Sequence, residues 1–161
     1  MSEASLVEAY IRSEESPDGK WWVEVPVGLS VQEQQSQTAS LKNIDAVCLT
    51  SQPPHLPERY PDYAGSMEYT NPDIPESGVS RAKLFRRLRE SDYFEEESAT
   101  IVEAKTGASS FKAIGQLQAY KQLLEEDYGW SVEEQILLSN QRDPVIDHAA
   151  SSLDIRVVAV Q

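Results

Sequence analysis

The chain has 161 residues, of which 40% are apolar, and it carries a formal net charge of −13. A single core usually spans about 100 to 200 residues, so this length predicts one domain over residues 1–161. No run approaches the roughly 18 apolar residues of a membrane-spanning helix. The first residues, MSEASLVEAY, lack the basic-then-apolar order of a signal peptide. These features favour a cytoplasmic protein without a membrane partner.

Cys48 is the only cysteine, which excludes an internal disulfide framework, a cysteine zinc cluster and a four-cysteine iron–sulfur cluster. Any metal must therefore be held mainly by oxygen. The acidic charge, with only six lysines, argues at first against a nucleic-acid partner. The acids are spread over the whole chain, however, and global charge reflects solubility more than the preference of one cleft. Such a spread is typical of a salt-adapted, halophilic source, and an acidic protein from an ordinary cell is the alternative.

Hydrophobic periodicity and turn signals divide the chain into helices and strands. The predicted elements in chain order are a helix over 5–12, a strand over 20–28, a loop or weak exposed helix over 29–40, a strand over 43–50, a proline-rich irregular segment over 51–76, a helix over 80–94, a strand over 98–107, a long helix over 109–130, a strand over 133–139, a short helix over 143–153 and a strand over 154–160. This order predicts an α/β fold with a mixed sheet.

The sequence also predicts helix caps and core residues within these elements. Ser5 and Glu8 predict a capping box at the first helix. Strand alternation places one of Trp21 and Trp22 in the core and the other at a surface or interface. The long helix has Ser109 or Ser110 as its predicted cap. Its predicted core stripe consists of Phe111, Ile114, Leu117, Leu124 and Tyr128.

Polar residues interrupt three consecutive elements. Asp45 lies inside a buried strand, Glu103 and Lys105 share one face of the next core strand, and Gln116 and Tyr120 share one face of the following helix. Two buried carboxylates would destabilise the fold by several kcal/mol and raise each other's pKa. A divalent cation such as Mg²⁺ removes both problems, because it prefers one or two carboxylates as ligands. Water activated by that cation, with help from Lys105, could attack a phosphodiester.

This pattern resembles the PD-(D/E)xK nuclease superfamily and is most similar to its RecB-type nucleases. The matching residues are Asp45 in NIDAV, Glu103 and Lys105 in VEAKT, and Gln116 and Tyr120 in QLQAY. The resemblance implies a restriction-endonuclease-like αβββαβ core with helices flanking a mixed central sheet. It also implies a Mg²⁺- or Mn²⁺-dependent nuclease that acts on DNA. The gap between Asp45 and Glu103 is long for this family, which indicates either an insertion over residues 51–98, between the second and third strands, or a first acid other than Asp45.

The resemblance assigns a role to each matching residue. Asp45, Glu103 and the backbone carbonyl of Ala104 would bind the metal, and Lys105 would position or activate the water. Some members add an acid on the first helix, for which Glu8 is the candidate, although its place in the predicted capping box explains it equally well.

The remaining roles concern the substrate. Gln116 and Tyr120 would contact the nucleic-acid backbone or brace the site. The helix predicted over 80–94 carries the one concentrated basic patch, which either grips DNA or forms a solvated face neutralised by the acids at 90–97. Its basic residues are Arg81, Lys83, Arg86, Arg87 and Arg89.

Two other hypotheses stand beside the nuclease. The first is a catalytically inactive module of the same fold that binds nucleic acid or protein. The second is an acidic structural protein without a nuclease link, which predicts that the carboxylates of Asp45 and Glu103 lie more than about 8 Å apart, beyond the reach of one ion. The sequence leaves the substrate strand, endo- or exonuclease action and the oligomeric state open, with a homodimer among the options.

Overall fold

A computed structural model describes residues 2–35, 40–56 and 81–160, together with the backbone of 68–69 and 79–80. The helices of this part are α1 (Glu3–Ile11), α2 (Leu29–Gln35), α3 (Arg81–Glu90), α4 (Phe111–Tyr128) and α5 (Pro144–Ser152). The strands are β1 (Lys20–Val27), β2 (Lys42–Leu49), β3 (Glu68–Tyr69), β4 (Val79–Ser80), β5 (Ser98–Ala108), β6 (Ser131–Gln141) and β7 (Ile155–Ala159).

Five of the strands form one open mixed sheet in the order β1-β2-β5-β6-β7, and β3 pairs with β4 in a separate ribbon. β2 runs antiparallel to both β1 and β5, whereas β5, β6 and β7 run parallel. The parallel pairs are connected through α4 and α5, because parallel neighbours need a crossover segment. The predicted α/β fold with a mixed sheet is confirmed.

Helices cover both faces of the sheet, so the prediction that only one of the paired tryptophans is in the core is wrong. Trp21 packs edge-on against Tyr10 of α1, with ring centroids 6.3 Å apart. Trp22 packs against Phe85 of α3 at 5.2 Å, and Phe85 contacts Tyr128 of α4 at 5.9 Å. Successive strand residues face opposite sides. α1 therefore lies on one face of the sheet and α3 and α4 lie on the other, and both tryptophans are buried.

The first helix begins earlier than predicted, and its cap is a different serine. The hydroxyl oxygen of Ser2 accepts a hydrogen bond from the Ser5 amide at 3.1 Å, and α1 starts at Glu3. This bond satisfies one of the amides that a helix start leaves without a partner. Glu8 does not close a capping box; it pairs with Arg12 one turn later, Oε1 to Nε 3.3 Å. The predicted capping box is therefore wrong.

The long helix α4 is capped at both ends. The Ser110 hydroxyl accepts from the Ala113 amide at 3.2 Å, which selects Ser110 from the two predicted caps, and Gly129 ends the helix with a φ of 69°. Four residues of the predicted core stripe are buried: Ile114, Leu117, Leu124 and Tyr128. Phe111 is not, because it shares a helix row with the exposed Gly115 and points away from the sheet.

The weakly patterned segments are described in part. Residues 29–35 form α2, as one of the two predicted alternatives, and 36–39 lie outside the described residues. Most of the predicted irregular segment, and the side chain of the predicted cap Ser80, also lie outside them. α3 ends at Glu90, four residues before the predicted end at Phe94. No helix in the described ranges is long and apolar enough to cross a membrane.

Candidate active site

β2 and β5 separate where the predicted site residues lie. Their pairing covers only Ala46–Leu49 and Ala99–Val102, although β2 begins four residues earlier. Beyond this pairing, at Asp45 and Glu103, the hydrogen bonds between the two strands run from backbone amides to side-chain carboxylates. The Asp45 amide donates to Glu103 Oε1 at 3.0 Å, and the Ala104 amide donates to Asp45 Oδ2 at 2.9 Å. Each carboxylate thus contacts the strand that carries the other, which places the two groups close together, so the hypothesis that they are far apart is wrong.

The strand register places these side chains on the face that α3 and α4 cover. Trp22 of β1 and Ile101 of β5 lie opposite the same β2 residue, two positions after Asp45. Residues directly opposite each other share a face, as do residues two apart in a strand. Asp45, Glu103 and Lys105 therefore lie on the same side of the sheet as Trp22.

Burial raises the pKa of both carboxyl groups, and the charge of Asp45 adds to this effect at Glu103. Glu103 is only 4% exposed, and loss of hydration followed by the charge of Asp45 raises the pKa of Glu103 to about 8. Burial likewise raises the pKa of Asp45 to about 6, against the opposing effect of the Ala104 amide. The charge of Lys105 lowers the pKa of both carboxyl groups but does not offset burial. The metal-free pair therefore retains a proton near neutral pH.

A third acid acts on the pair from the start of α1. The negative charge of Glu3 raises the pKa of Asp45 and that of Glu103, in each case after burial and other contributions. Glu8, the predicted acid on this helix, lies more than a turn further on and pairs with Arg12. The sequence analysis missed Glu3. The feature that could have identified it is its position in the first turn of α1, whereas Glu8 lies in the middle of the helix.

Tyr120 and Gln116 approach the site from α4. Burial, then the charges of Glu103 and Asp45, raise the pKa of Tyr120. Its phenol therefore remains a hydrogen-bond donor across the neutral range. Gln116 lies four residues earlier, on the same helix face. Its Oε1 is buried without a hydrogen-bond partner among the described residues, a state that costs about 1–3 kcal/mol. The structure thus brings both helix residues to the side of the sheet that holds the acid pair.

The β1 residue opposite Asp45 is also an acid, and a basic residue of α3 pairs with it. The register of β1 and β2 leaves Glu24 facing Asp45. Glu24 has a left-handed backbone with a φ of 52°, and its carboxylate forms an ion pair with Arg81 of α3. A non-glycine residue in this region is strained by about 1–3 kcal/mol, so a specific contact is needed to hold it. Arg81, predicted as a nucleic-acid contact, is therefore engaged with the sheet.

The basic helix α3 is tied to the core at its other end as well. Arg89 Nε donates to the Asp127 carbonyl at 2.5 Å, and its two terminal nitrogens contact Glu33 at 2.7 Å and Ser30 at 2.8 Å. The remaining predicted nucleic-acid contacts on α3 are Lys83 and Arg87, which are exposed, and Arg86, which is partly buried. Part of the basic patch therefore has a structural role.

The candidate metal ligands are few. In the ranges that the structure describes, no three His, Cys, Asp or Glu side chains gather as a metal-binding group. Asp45 and Glu103 contribute two carboxylates. Ala104 contributes its carbonyl, because the N–H and C=O of a strand residue point to the same side and this N–H faces Asp45. Mg²⁺ commonly takes one or two carboxylates and completes its shell with water, so this set is sufficient.

Comparisons of the chain with protein-family models, with curated proteins and with solved structures find no match. A functional assignment therefore depends on the residues and on the geometry of this site.

Proposed function

We propose that the chain is a divalent-cation-dependent nuclease with a restriction-endonuclease-like core that hydrolyses phosphodiester bonds of DNA. The observation that carries the proposal is the pair of hydrogen bonds where β2 and β5 separate, from the Asp45 amide to Glu103 and from the Ala104 amide to Asp45. With α2, β3, β4 and α3 set aside as additions, the order α1, β1, β2, β5, α4, β6 matches the αβββαβ order that the resemblance implies. Residues 51–98 lie between the second and third strands of that series, as an insertion would.

The acid pair fits Mg²⁺ or Mn²⁺. Each carboxylate accepts one backbone amide, which leaves most of its acceptor sites without a donor among the described residues, and Glu103 is buried from water. Positive charge at this position would relieve the cost of burying both groups. Asp45, Glu103 and the Ala104 carbonyl would hold the ion. When bound, such a cation polarises a phosphoryl oxygen and makes water a better nucleophile at neutral pH.

The other residues would bind and orient the phosphodiester. Lys105 adds a positive charge on the same face, where it can orient the attacking water and stabilise the negative charge that develops at phosphorus. The protonated Tyr120 and the amide of Gln116 are donors for the non-bridging oxygens. Hydrolysis forms one P–O bond from water and breaks one ester P–O bond, which yields a phosphate monoester and an alcohol.

A cleavage assay tests the proposal. The purified chain should cut a DNA substrate in Mg²⁺ or Mn²⁺. Asp45→Asn, Glu103→Gln and Lys105→Gln should each reduce the rate by about 100-fold or more, because each removes a charge aligned with the transition state. Glu134→Gln is a matched control, since this partly exposed acid pairs with Arg156. Cleavage at the wild-type rate by all three site variants would exclude the proposed chemistry.

A binding module without catalytic activity is the second candidate, and the absence of a third acidic or histidine ligand in the described ranges favours it. Calorimetric titration with Mn²⁺ separates the two candidates. A nuclease should bind the ion with an affinity that Asp45→Asn and Glu103→Gln abolish. A module that has lost its site should show no binding that depends on these two residues.

A further inference from the structure

The first turn of α4 exposes an aromatic ring beside a lysine. Phe111 is 63% exposed, which among the large apolar side chains of the described residues only Val145 exceeds, at 68%. Lys112 follows directly and is exposed. No carboxylate in the described part of the chain lies within ion-pair distance of Lys112. The protein leaves both groups facing solvent.

The surrounding segment differs in charge from the rest of the chain. The chain has 27 acidic residues, but 104–124 contain none and include Lys105, Lys112 and Lys121. Many arginines, in contrast, are neutralised. Those in ion pairs with carboxylates are Arg12, Arg81, Arg89, Arg142 and Arg156. Charges further away than the Debye length, about 10 Å at 0.1 M salt, are largely screened. The start of α4 can therefore attract an anion although the chain as a whole is acidic.

A row of polar side chains connects this surface to the acid pair. Lys112, Gln116 and Tyr120 are four residues apart and line one face of α4 over about 12 Å. Tyr120 is at the end of the row where the charges of Glu103 and Asp45 raise its pKa. Beside the row, Gly115 shares a face with Phe111, is exposed, and has no neighbouring atom within 4 Å of where a Cβ would be. A glycine inside a helix is unfavourable relative to alanine, and no packing contact with the described residues accounts for this one.

We infer that this surface binds an unpaired strand of nucleic acid, with one base stacked on Phe111 and a neighbouring phosphate at Lys112. The inference rests on the proposed function, in which the phosphodiester to be cut lies at the Tyr120 end of the row. Stacking on an exposed ring requires a base that has left its own stack, as in a single strand or a frayed end. Duplex binding draws on many phosphate contacts, and this row offers one exposed cation. A single strand is therefore the better match.

Fluorescence anisotropy tests the inference. The full chain is titrated, in EDTA to prevent cleavage, against a labelled thymidine oligonucleotide and against a duplex of equal length. The single strand should bind more tightly. Phe111→Ala should weaken that binding roughly 5- to 100-fold, the range for loss of one base–aromatic stack. Val145→Ala, which removes a similarly exposed apolar side chain from α5, should leave it unchanged.

The lysine is tested in the same assay. Lys112→Gln should weaken single-strand binding and reduce the slope of log affinity against log salt by about 0.7, because one phosphate contact is lost. Lys121→Gln removes the same charge from another flank of α4 and should change neither quantity. Phe111→Leu keeps an apolar side chain without a ring, so it should bind as weakly as Phe111→Ala. Melting curves of each variant confirm that the fold is retained.

Equal affinity for strand and duplex, no binding of either, or full binding by Phe111→Ala would overturn the inference. These outcomes are distinct from failure of the proposed function. If Asp45→Asn abolishes cleavage while Phe111→Ala binds normally, the nuclease stands and the strand-binding surface does not. If binding depends on Phe111 but no DNA is cut in Mn²⁺, the surface stands and the nuclease does not.

Discussion

Asp127 is a buried carboxylate and the acid pair is a buried and a partly buried one, yet only Asp127 receives several hydrogen-bond donors from the protein. Asp127 is 3% exposed and accepts hydrogen bonds from three successive backbone amides at the start of α2. Its donors are Gly28 at 2.7 Å, Leu29 at 3.2 Å and Ser30 at 2.9 Å. Amides at a helix start lack partners of their own and carry partial positive charge. This carboxylate thus stabilises the junction of β1, α2 and α4.

The pair of Asp45 and Glu103, in contrast, has few hydrogen-bond donors for its negative charge. Asp45 and Glu103 accept one backbone amide each, repel one another and have raised pKa values. A carboxylate that serves folding is matched by donors that the fold itself supplies. Carboxylates with too few donors, held close together by the backbone, are groups that the proposed cation would stabilise.

The two sites should respond in opposite directions when a charge is removed. Asp127→Asn should lower the free energy of unfolding by about 4 kcal/mol, because several charge-assisted hydrogen bonds are lost together. Glu103→Gln should raise the stability of the metal-free protein at pH 8, because it removes repulsion. Urea denaturation in EDTA measures both. A large loss of stability in both variants would mean that the pair is an ordinary structural interaction.

The stability of the protein should depend on pH through Glu103. The folded state favours protonated Glu103, so this contribution is fully present below the ordinary glutamate pKa and is lost as pH rises through about 8. Relative to Glu103→Gln, the metal-free wild type should lose about 4 kcal/mol of stability between pH 5 and 9. Urea denaturation across this range measures the difference, and Mn²⁺ should restore stability at the alkaline end. Parallel pH profiles for the two proteins would contradict the assigned pKa shift.

A smaller effect should separate the two acids of α1. Glu3→Gln should weaken Mn²⁺ binding roughly two- to fivefold, because it removes a negative charge that acts on both ligands through partly screened electrostatics. Glu8→Gln should leave the affinity unchanged, since that carboxylate pairs with Arg12. Isothermal titration measures both affinities. If only Glu8→Gln weakened Mn²⁺ binding, Glu8 would be the acid of α1 that acts on the site, as predicted from the sequence.

The site was predictable where its residues break a local pattern. Asp45 interrupts an apolar strand, and the spacing of Glu103 and Lys105, like that of Gln116 and Tyr120, matches the period of its element. The separation of β2 from β5 was not predictable. It depends on pairing between segments far apart in the chain, and local residue patterns do not determine that pairing.

The wrong predictions have local causes. Ser2 and Ser5 are the same residue type, one that commonly caps helices, so residue type alone did not decide between them. The tryptophan prediction assumed a sheet with one covered face, whereas helices pack on both. Phe111 was assigned to the core because it is apolar, although its helix row contains Gly115 and continues into polar residues. That mismatch was visible in the sequence.

The two amides that hold the acid pair come from the backbone of Asp45 and Ala104. Any residue except proline supplies an amide at position 104, so natural substitutions there can preserve the contact. The donor half of this hydrogen-bonding arrangement therefore does not depend on which side chains the sequence places there. A site built in this way can persist while the surrounding sequence diverges, and backbone geometry is then a better guide than residue similarity to other proteins that share it.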